Sequence, residues 1–149
     1  MKIYIASDHR GIELKSDIIN YLKSQKIEYI NFGTDSEVSI DYPNIVSKVA
    51  KSVQCKECDC GILICGTGLG VAITANKFKG IRAANCYNNE MAKYSRLHNN
   101  SNIISFGATQ NSKEEVIEML KIWLNTQFEG GRHEKRIKMI EEIENENMT

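Results

Sequence analysis

Short runs rich in β-branched and aromatic residues alternate along this chain with longer stretches whose apolar positions recur at helical spacing. Lys2–Ala6 predicts a first strand, and Leu14, Ile18, Tyr21 and Leu22 predict a helix just after it. Glu28–Phe32 predicts a second strand, closed by Gly33. After a polar loop, Pro43 suits the first turn of a helix carrying Ile45, Val46, Val49 and Val53. Gly61–Cys65 is almost purely apolar, as befits a strand buried on both faces. Ile81–Cys86 and Asn102–Phe106 predict two more strands, with an Asn89–His98 helix between them. Ser112 followed by Glu115 is a capping box, opening a helix whose Val116, Leu120, Trp123 and Leu124 form one stripe. Gly130-Gly131 breaks the chain before a last, highly charged helix from about Arg132, whose Ile137, Ile140 and Ile143 lie along one side.

Five strands, each followed by a helical segment, imply an α/β fold: a three-layer α/β/α sandwich, Rossmann-like, with a five-stranded parallel sheet and an additional C-terminal helix. Residues 1–149 read as one domain. Ligands of such sheets sit beyond the carboxyl ends of the strands, which draws attention to Asp8-His9, Cys65–Gly70 and Gly107–Thr109. Nineteen basic and nineteen acidic residues cancel, so the electrostatic footprint of a general nucleic-acid binder is missing. No apolar run approaches the roughly 18 residues of a membrane span. Five cysteines, an odd number without a secreted-scaffold pattern, point to reduced thiols and a cytoplasmic location.

The strongest local signal for chemistry is Cys65-Gly66-Thr67-Gly68-Leu69-Gly70. Glycines at a strand-to-helix junction leave backbone N–H groups free to face an anion. The spacing is neither the dinucleotide fingerprint nor a Walker A loop. A thiol at a helix start should have a lowered pKa and serve as base or nucleophile; a buried inert cysteine in a tight glycine turn is the plainer reading. The last helix offers Arg132 and Arg136, four apart and able to grip one phosphate together. Its bases come first and its acids last, against the preference of the helix dipole, so the arginines answer to an anionic ligand or a partner, unless the run is simply solvated. His9 and His98 stand at candidate ligand edges, whereas His133 points off the Arg132/Arg136 face and reads as ordinary. Cys55, Cys58 and Cys60 lack the fourth ligand of a closed zinc site and read as reactive surface thiols in a loop.

Taken together these residues resemble ribose-5-phosphate isomerase B and its galactose-6-phosphate isomerase relatives. The matching stretches are Ser7-Asp8-His9, Gly33-Thr34, Asp41-Tyr42-Pro43, Gly61–Lys77, Gly80–Ala83, His98-Asn99, Phe106-Gly107 and Glu129–His133, spanning nearly the whole chain in order. The resemblance implies an aldose–ketose isomerase that interconverts ribose 5-phosphate and ribulose 5-phosphate through an enediolate, with no metal and no cofactor. Cys65 would be the base that moves a proton between C2 and C1, with the Thr67 hydroxyl close by, and His98 would help open the furanose ring. Asp8, His9, Tyr42 and Asn99 would contact the sugar phosphate; Gly66, Gly68, Leu69 and Gly70 would bind the developing enediolate. Arg132 and Arg136 would hold the phosphate. The resemblance also implies a homodimer or dimer of dimers with a shared active site, the C-terminal helix packing on a partner subunit.

One departure stands out: many relatives carry an arginine where this chain has Thr109, and Lys113, Arg10 or water would have to replace that phosphate contact. Three alternatives remain on the sequence. The same chemistry on a hexose 6-phosphate, allose or galactose 6-phosphate, differs by a methylene-sized increment. A non-catalytic phosphate-binding module would use the glycine loop as a bare cradle. A redox or metal protein would use Cys55, Cys58 and Cys60.

Overall fold

A computed structural model of the chain describes residues 1–148. In chain order the elements are β1 (Lys2–Ser7), α1 (Ile12–Ser24), β2 (Glu28–Asn31), α2 (Tyr42–Gln54), β3 (Cys60–Cys65), α3 (Leu69–Ala75), β4 (Ala83–Asn85), α4 (Asn89–Leu97), β5 (Ile103–Gly107), α5 (Lys113–Asn125) and α6 (Arg132–Asn147). The five strands form one sheet in the order β2-β1-β3-β5-β4, and every neighbouring pair is parallel. The predicted α/β sandwich is therefore observed.

Alternation along β3 builds the two cores. Ile62 and Ile64 face one side with Ile3, Ile5, Ile104 and Phe106, under α1, α4 and α5. Leu63 and Cys65 face the other with Tyr4, Ala6 and Ile103, under α2 and α3. All six residues of β3 are buried, which is why its sequence shows no polar alternation. The fourth strand is shorter than the predicted Ile81–Cys86. The Ile81 N–H turns back to the Phe78 carbonyl, and the Arg82 N–H donates to Asn102 Oδ1 at 2.8 Å, so pairing starts only at Ala83.

The capping box at α5 is present as predicted: Ser112 Oγ accepts from the Glu115 N–H, and Glu115 Oε1 accepts from the Ser112 N–H at 2.8 Å. At the far end of α5 the buried Trp123 Nε1–H finds Ser101 Oγ at 2.8 Å. Among the described residues no helix is long and apolar enough to cross a membrane.

The last helix is tied down at both ends across the amino-terminal edge of the sheet. The Glu129 N–H just before it donates to the Leu97 carbonyl, and Glu144 accepts from the Gly80 N–H at 2.8 Å. Of its apolar row only Ile137 is buried by its own chain; Ile140 and Ile143 remain 46% and 60% exposed.

A feature that composition did not disclose is Lys15, almost fully buried on the inner face of α1. Its ammonium donates to Asn31 Oδ1 at 2.9 Å, the Thr34 carbonyl at 2.6 Å and Asp35 Oδ1 at 2.8 Å, strapping the loop after β2 to the helix. Those hydrogen bonds, Lys15 first and Asn31 second, hold the Asp35 carboxyl below its ordinary value. A carboxyl depressed in the folded state stabilises the fold above the usual carboxylate range, and that contribution is lost as pH falls through its native pKa. The Lys15→Met variant should be less stable by about 1–3 kcal/mol near neutrality, the loss of hydrogen bonds made by a charged donor. Its thermal unfolding midpoint should also fall less between pH 5 and pH 3 than that of the parent, measured by circular dichroism at matched ionic strength.

Candidate active site

The carboxyl ends of β1, β3 and β5 lie side by side, since Ser7 pairs with Ile64 and Cys65 pairs with Gly107. Cys65 ends β3 buried at 5% exposure, and its Sγ accepts from the Gly68 N–H at 3.1 Å. The loop that follows has its carbonyls engaged by the scaffold. Gly66 O accepts from the Thr109 N–H and, at 2.7 Å, from the Thr109 hydroxyl; Thr67 O accepts from the Tyr87 hydroxyl at 3.0 Å; Gly68 O accepts from Ser105 Oγ at 2.9 Å. Its N–H groups are treated differently. Among the described residues none takes the N–H of Gly66, Thr67 or Gly70, while Leu69 N–H is held by Thr67 Oγ1 at 3.2 Å. Carbonyls turned in and amides turned out make a cradle for negative charge. Because α3 is only seven residues long, this capacity resides in the loop's own amides more than in a helix dipole.

Gly68 holds this geometry together with φ +82°, and a Cβ there would lie 2.9 Å from the Phe106 carbonyl carbon. Tyr42, at the start of α2, packs its hydroxyl end against Gly70, where a Cβ would meet the ring at 2.6 Å. Asp8 is buried, and its Oδ1 accepts from the Arg10 N–H at 2.9 Å, closing the turn after β1. His9 Nδ1 accepts from the Ile40 N–H at 3.3 Å, so its proton sits on Nε2, which is left as a donor. Asp8, His9, Tyr42, Cys65, Gly66, Thr67, Gly68, Leu69 and Gly70 are thus gathered at one edge of the sheet.

His98, Asn99, Arg132 and Arg136 are not there. His98 caps the C-terminus of α4, which runs back against the strands, and the Asn99 and Asn100 carbonyls hold the Arg82 guanidinium ahead of β4 and β5. The length of β5 separates this edge from the Cys65 loop, about 15 Å at strand rise. Here the prediction for His133 needs correcting. It is 6% exposed, and its ring stacks on His98 with centroids 4.0 Å apart and an interplanar angle of 12°. Glu129 Oε2 lies 3.6 Å from Nε2 of both rings. Helical spacing alone could not reveal this, because α6 enters at an angle set by Gly130 and Gly131, both at positive φ. The ligand atoms of His98, Glu129 and His133 lie within 4.8 Å of one another, the spread of a metal site. The near-parallel stack disfavours chelation, however: an ion in the plane of one imidazole lies out of the plane of the other. Arg132 and Arg136 are both exposed on the first turns of α6, free of carboxylate partners among the described residues.

The cysteine triplet is also corrected. Cys55 is exposed, but Cys58 and Cys60 are buried on opposite faces of the sheet. Burial pushes their thiols up, to about 11 and about 12 respectively, so they are inert core residues and not reactive surface thiols. As for the departure at Thr109, Lys113 is paired with Asp17 at 3.7 Å, whereas the Arg10 guanidinium lies over Gly66, its Nη1 2.6 Å from where a Cβ would be.

An anion-holding loop beside a buried thiol at the carboxyl ends of a parallel sheet defines a small-ligand α/β protein of the acid–base type. The family model for Ribose/Galactose Isomerase matches residues 3–140, and the chain belongs to that family. It is similar to the Escherichia coli protein named ribose-5-phosphate isomerase B, 44% identical over 96% of each chain. It also resembles the solved structure of Clostridium thermocellum ribose-5-phosphate isomerase B, with 48% identity and a TM-score of 0.96 over 98% of this chain and 99% of that one. The Mycoplasma genitalium ribose-5-phosphate isomerase B, solved with bound ribulose-5-phosphate, is 38% identical with a TM-score of 0.93 over 98% and 97% of the two chains.

The Gly68→Ala substitution should cost about 1–3 kcal/mol of stability from backbone strain alone. It should also abolish anion binding at the loop. Inorganic phosphate or a sugar phosphate titrated by calorimetry, alongside a melting curve, checks both.

Proposed function

We propose that this chain is an aldose–ketose isomerase interconverting ribose 5-phosphate and ribulose 5-phosphate. The observation that carries the reading is the Cys65 thiol set within 3.1 Å of the Gly68 N–H, at the mouth of a loop whose remaining amides face outward. The names and folds of the relatives, one of them solved with the ketose product, support the same substrate pair.

The thiolate of Cys65 takes the proton from C2 of the open aldose. The electron pair left behind forms the C1–C2 double bond and moves the carbonyl pair onto O1. The O2 proton then passes to O1, and Cys65 returns its proton to C1, leaving the carbonyl at C2. The barrier lies in the charge on the enediolate, and preorganised N–H donors lower it without reorganising; one such donor contributes about 3–4 kcal/mol in comparable oxyanion sites. No metal is needed where the loop takes that charge. Thr67 and Tyr42 flank the Cys65 loop, and Asp8 and the Nε2–H of His9 meet the sugar hydroxyls.

His98, Asn99, Arg132 and Arg136 cannot reach the same substrate molecule from within one chain, so the site is completed by a second copy. Its amino-terminal edge supplies the ring-opening histidine and the phosphate arginines, and the exposed Ile140 and Ile143 of α6 give that contact apolar area. Arg10, unpaired and resting on Gly66, supplies positive charge at the loop where Thr109 supplies only a hydroxyl to the scaffold. Five free cysteines suit a reducing compartment such as the cytoplasm.

Proton NMR of protein incubated with ribose 5-phosphate in deuterated water should show ribulose 5-phosphate, with deuterium entering at C1 and C2. Cys65→Ala should lose both signals by at least about a hundredfold, the low end for a positioned acid–base group. Arg10→Ala should raise KM about tenfold or more with kcat little changed, the loss of one charged hydrogen bond. Full activity in Cys65→Ala overturns the assignment.

A further inference from the structure

We infer that Glu129 and His133 are positioning residues that fix the imidazole of His98 in one orientation, with Nδ1 as its working atom. The inference rests on the proposed isomerase reading and deepens it.

The His98 ring has two ring neighbours. Tyr94, one turn earlier in α4, lies 4.6 Å away and is tilted by 37°, and His133 stacks on it at 4.0 Å. The segment bearing Glu129 is anchored beside the residue before His98, since the Glu129 N–H donates to Leu97 O at 3.0 Å. That anchor brings the carboxylate to His98 Nε2. The two imidazoles differ in how their nitrogens are used. His133 Nε2 faces the Arg132 Nε–H at 3.5 Å and accepts from it, so its own proton is on Nδ1. Burial first, then its neighbour His98 on α4 and the charges of Arg132 and Arg136 on its own helix, keep the His133 ring below the ordinary histidine value; Glu129 opposes them. His133 therefore serves as a neutral plate. In the proposed arrangement the N–H facing the carboxylate, across 3.6 Å, is that of His98 Nε2, which leaves His98 Nδ1 with a lone pair and with no hydrogen-bond partner among the described residues.

This is the arrangement that opening a furanose requires. His98 Nδ1 takes the proton of the O1 hydroxyl as the C1–O4 bond breaks. The O–H electron pair becomes the C1–O1 carbonyl, and O4 keeps the pair of the broken bond. Nδ1 then returns the proton to O4. One proton has moved from O1 to O4, and while His98 carries it both ring nitrogens are protonated and the Glu129 carboxylate opposes the charge. Removing the carboxylate takes away that opposition and frees the tautomer, without touching the Cys65 loop at the other end of the sheet.

The two halves of the reaction can be read separately. Net turnover of ribose 5-phosphate needs the ring opened, whereas deuterium wash-in at C1 of ribulose 5-phosphate, which has no furanose form, needs only the Cys65 step. In Glu129→Gln, net turnover should fall about a hundredfold while wash-in stays within about twofold of the parent. His133→Ala should show the same split, and His133→Phe, which restores a flat ring, should recover most of the lost turnover. Melting curves of all three variants report folding. Parallel loss of turnover and wash-in, or no loss of either, overturns the proposal. A parent protein that shows neither signal overturns the isomerase reading itself, and is thereby told apart.

Discussion

In a sheet whose five strands all run the same way, every strand delivers its last residue to one edge, and every returning helix delivers its last residue to the other. This directionality governs the molecule's chemistry. It places the thiol of Cys65 among three adjacent strand ends, where backbone amides are plentiful. It also sends His98, at the end of α4, and the arginines of α6 to the opposite edge. On the proposed reading, a single chain therefore carries two half-sites facing away from each other. The economical way to join such halves is a symmetric pair, in which each copy offers its carboxyl-end loop to the other's amino-terminal edge. In the proposed pair the partly uncovered face of α6 would be a working surface, with Arg132 and Arg136 offered to the partner.

At the loop itself, charge is handled by backbone. The scaffold engages the carbonyls of Gly66, Thr67 and Gly68 with hydroxyls from Thr109, Tyr87 and Ser105, which turns the amides outward. A side chain could supply a donor too, but it would have to be held still; amides locked by their own carbonyl partners already are. Thr109 contributes to that locking through its hydroxyl, and the cation that lies over the loop is Arg10. The strap formed by Lys15 keeps the loop after β2 in place, and that loop in turn donates the Ile40 N–H to His9 Nδ1.

Much of this was legible in the sequence, and the parts that were not share a cause. The strands, helices, parallel sheet and capping box follow from period and local chemistry, which a single chain displays directly. Cys65 and its glycines stand out because the whole motif is contiguous. Lys15 left a signal that can be read afterwards: it falls three residues before Ile18 and seven before Leu22, on the apolar face of its helix, where a lysine is retained only with partners. His133 left none, because its neighbour His98 is distant in sequence and the angle between their helices is decided by two glycines. The thiols of Cys58 and Cys60 read as reactive because their spacing resembles ligand spacing, yet Cys60 opens β3 and enters one core while Cys58, in the turn before the strand, enters the other.

The claim that most of this depends on is that each active site is assembled from two chains. Its most direct test is complementation between Cys65→Ala and His98→Ala, each assayed alone with ribose 5-phosphate and then after co-expression. In a mixed pair one site receives both substitutions and the other receives neither. Two nearly inactive variants should therefore yield, together, about a quarter of the parent activity for random pairing of a dimer. A mixture no more active than the sum of its parts would contradict the shared site and leave the Cys65 loop to work within a single chain.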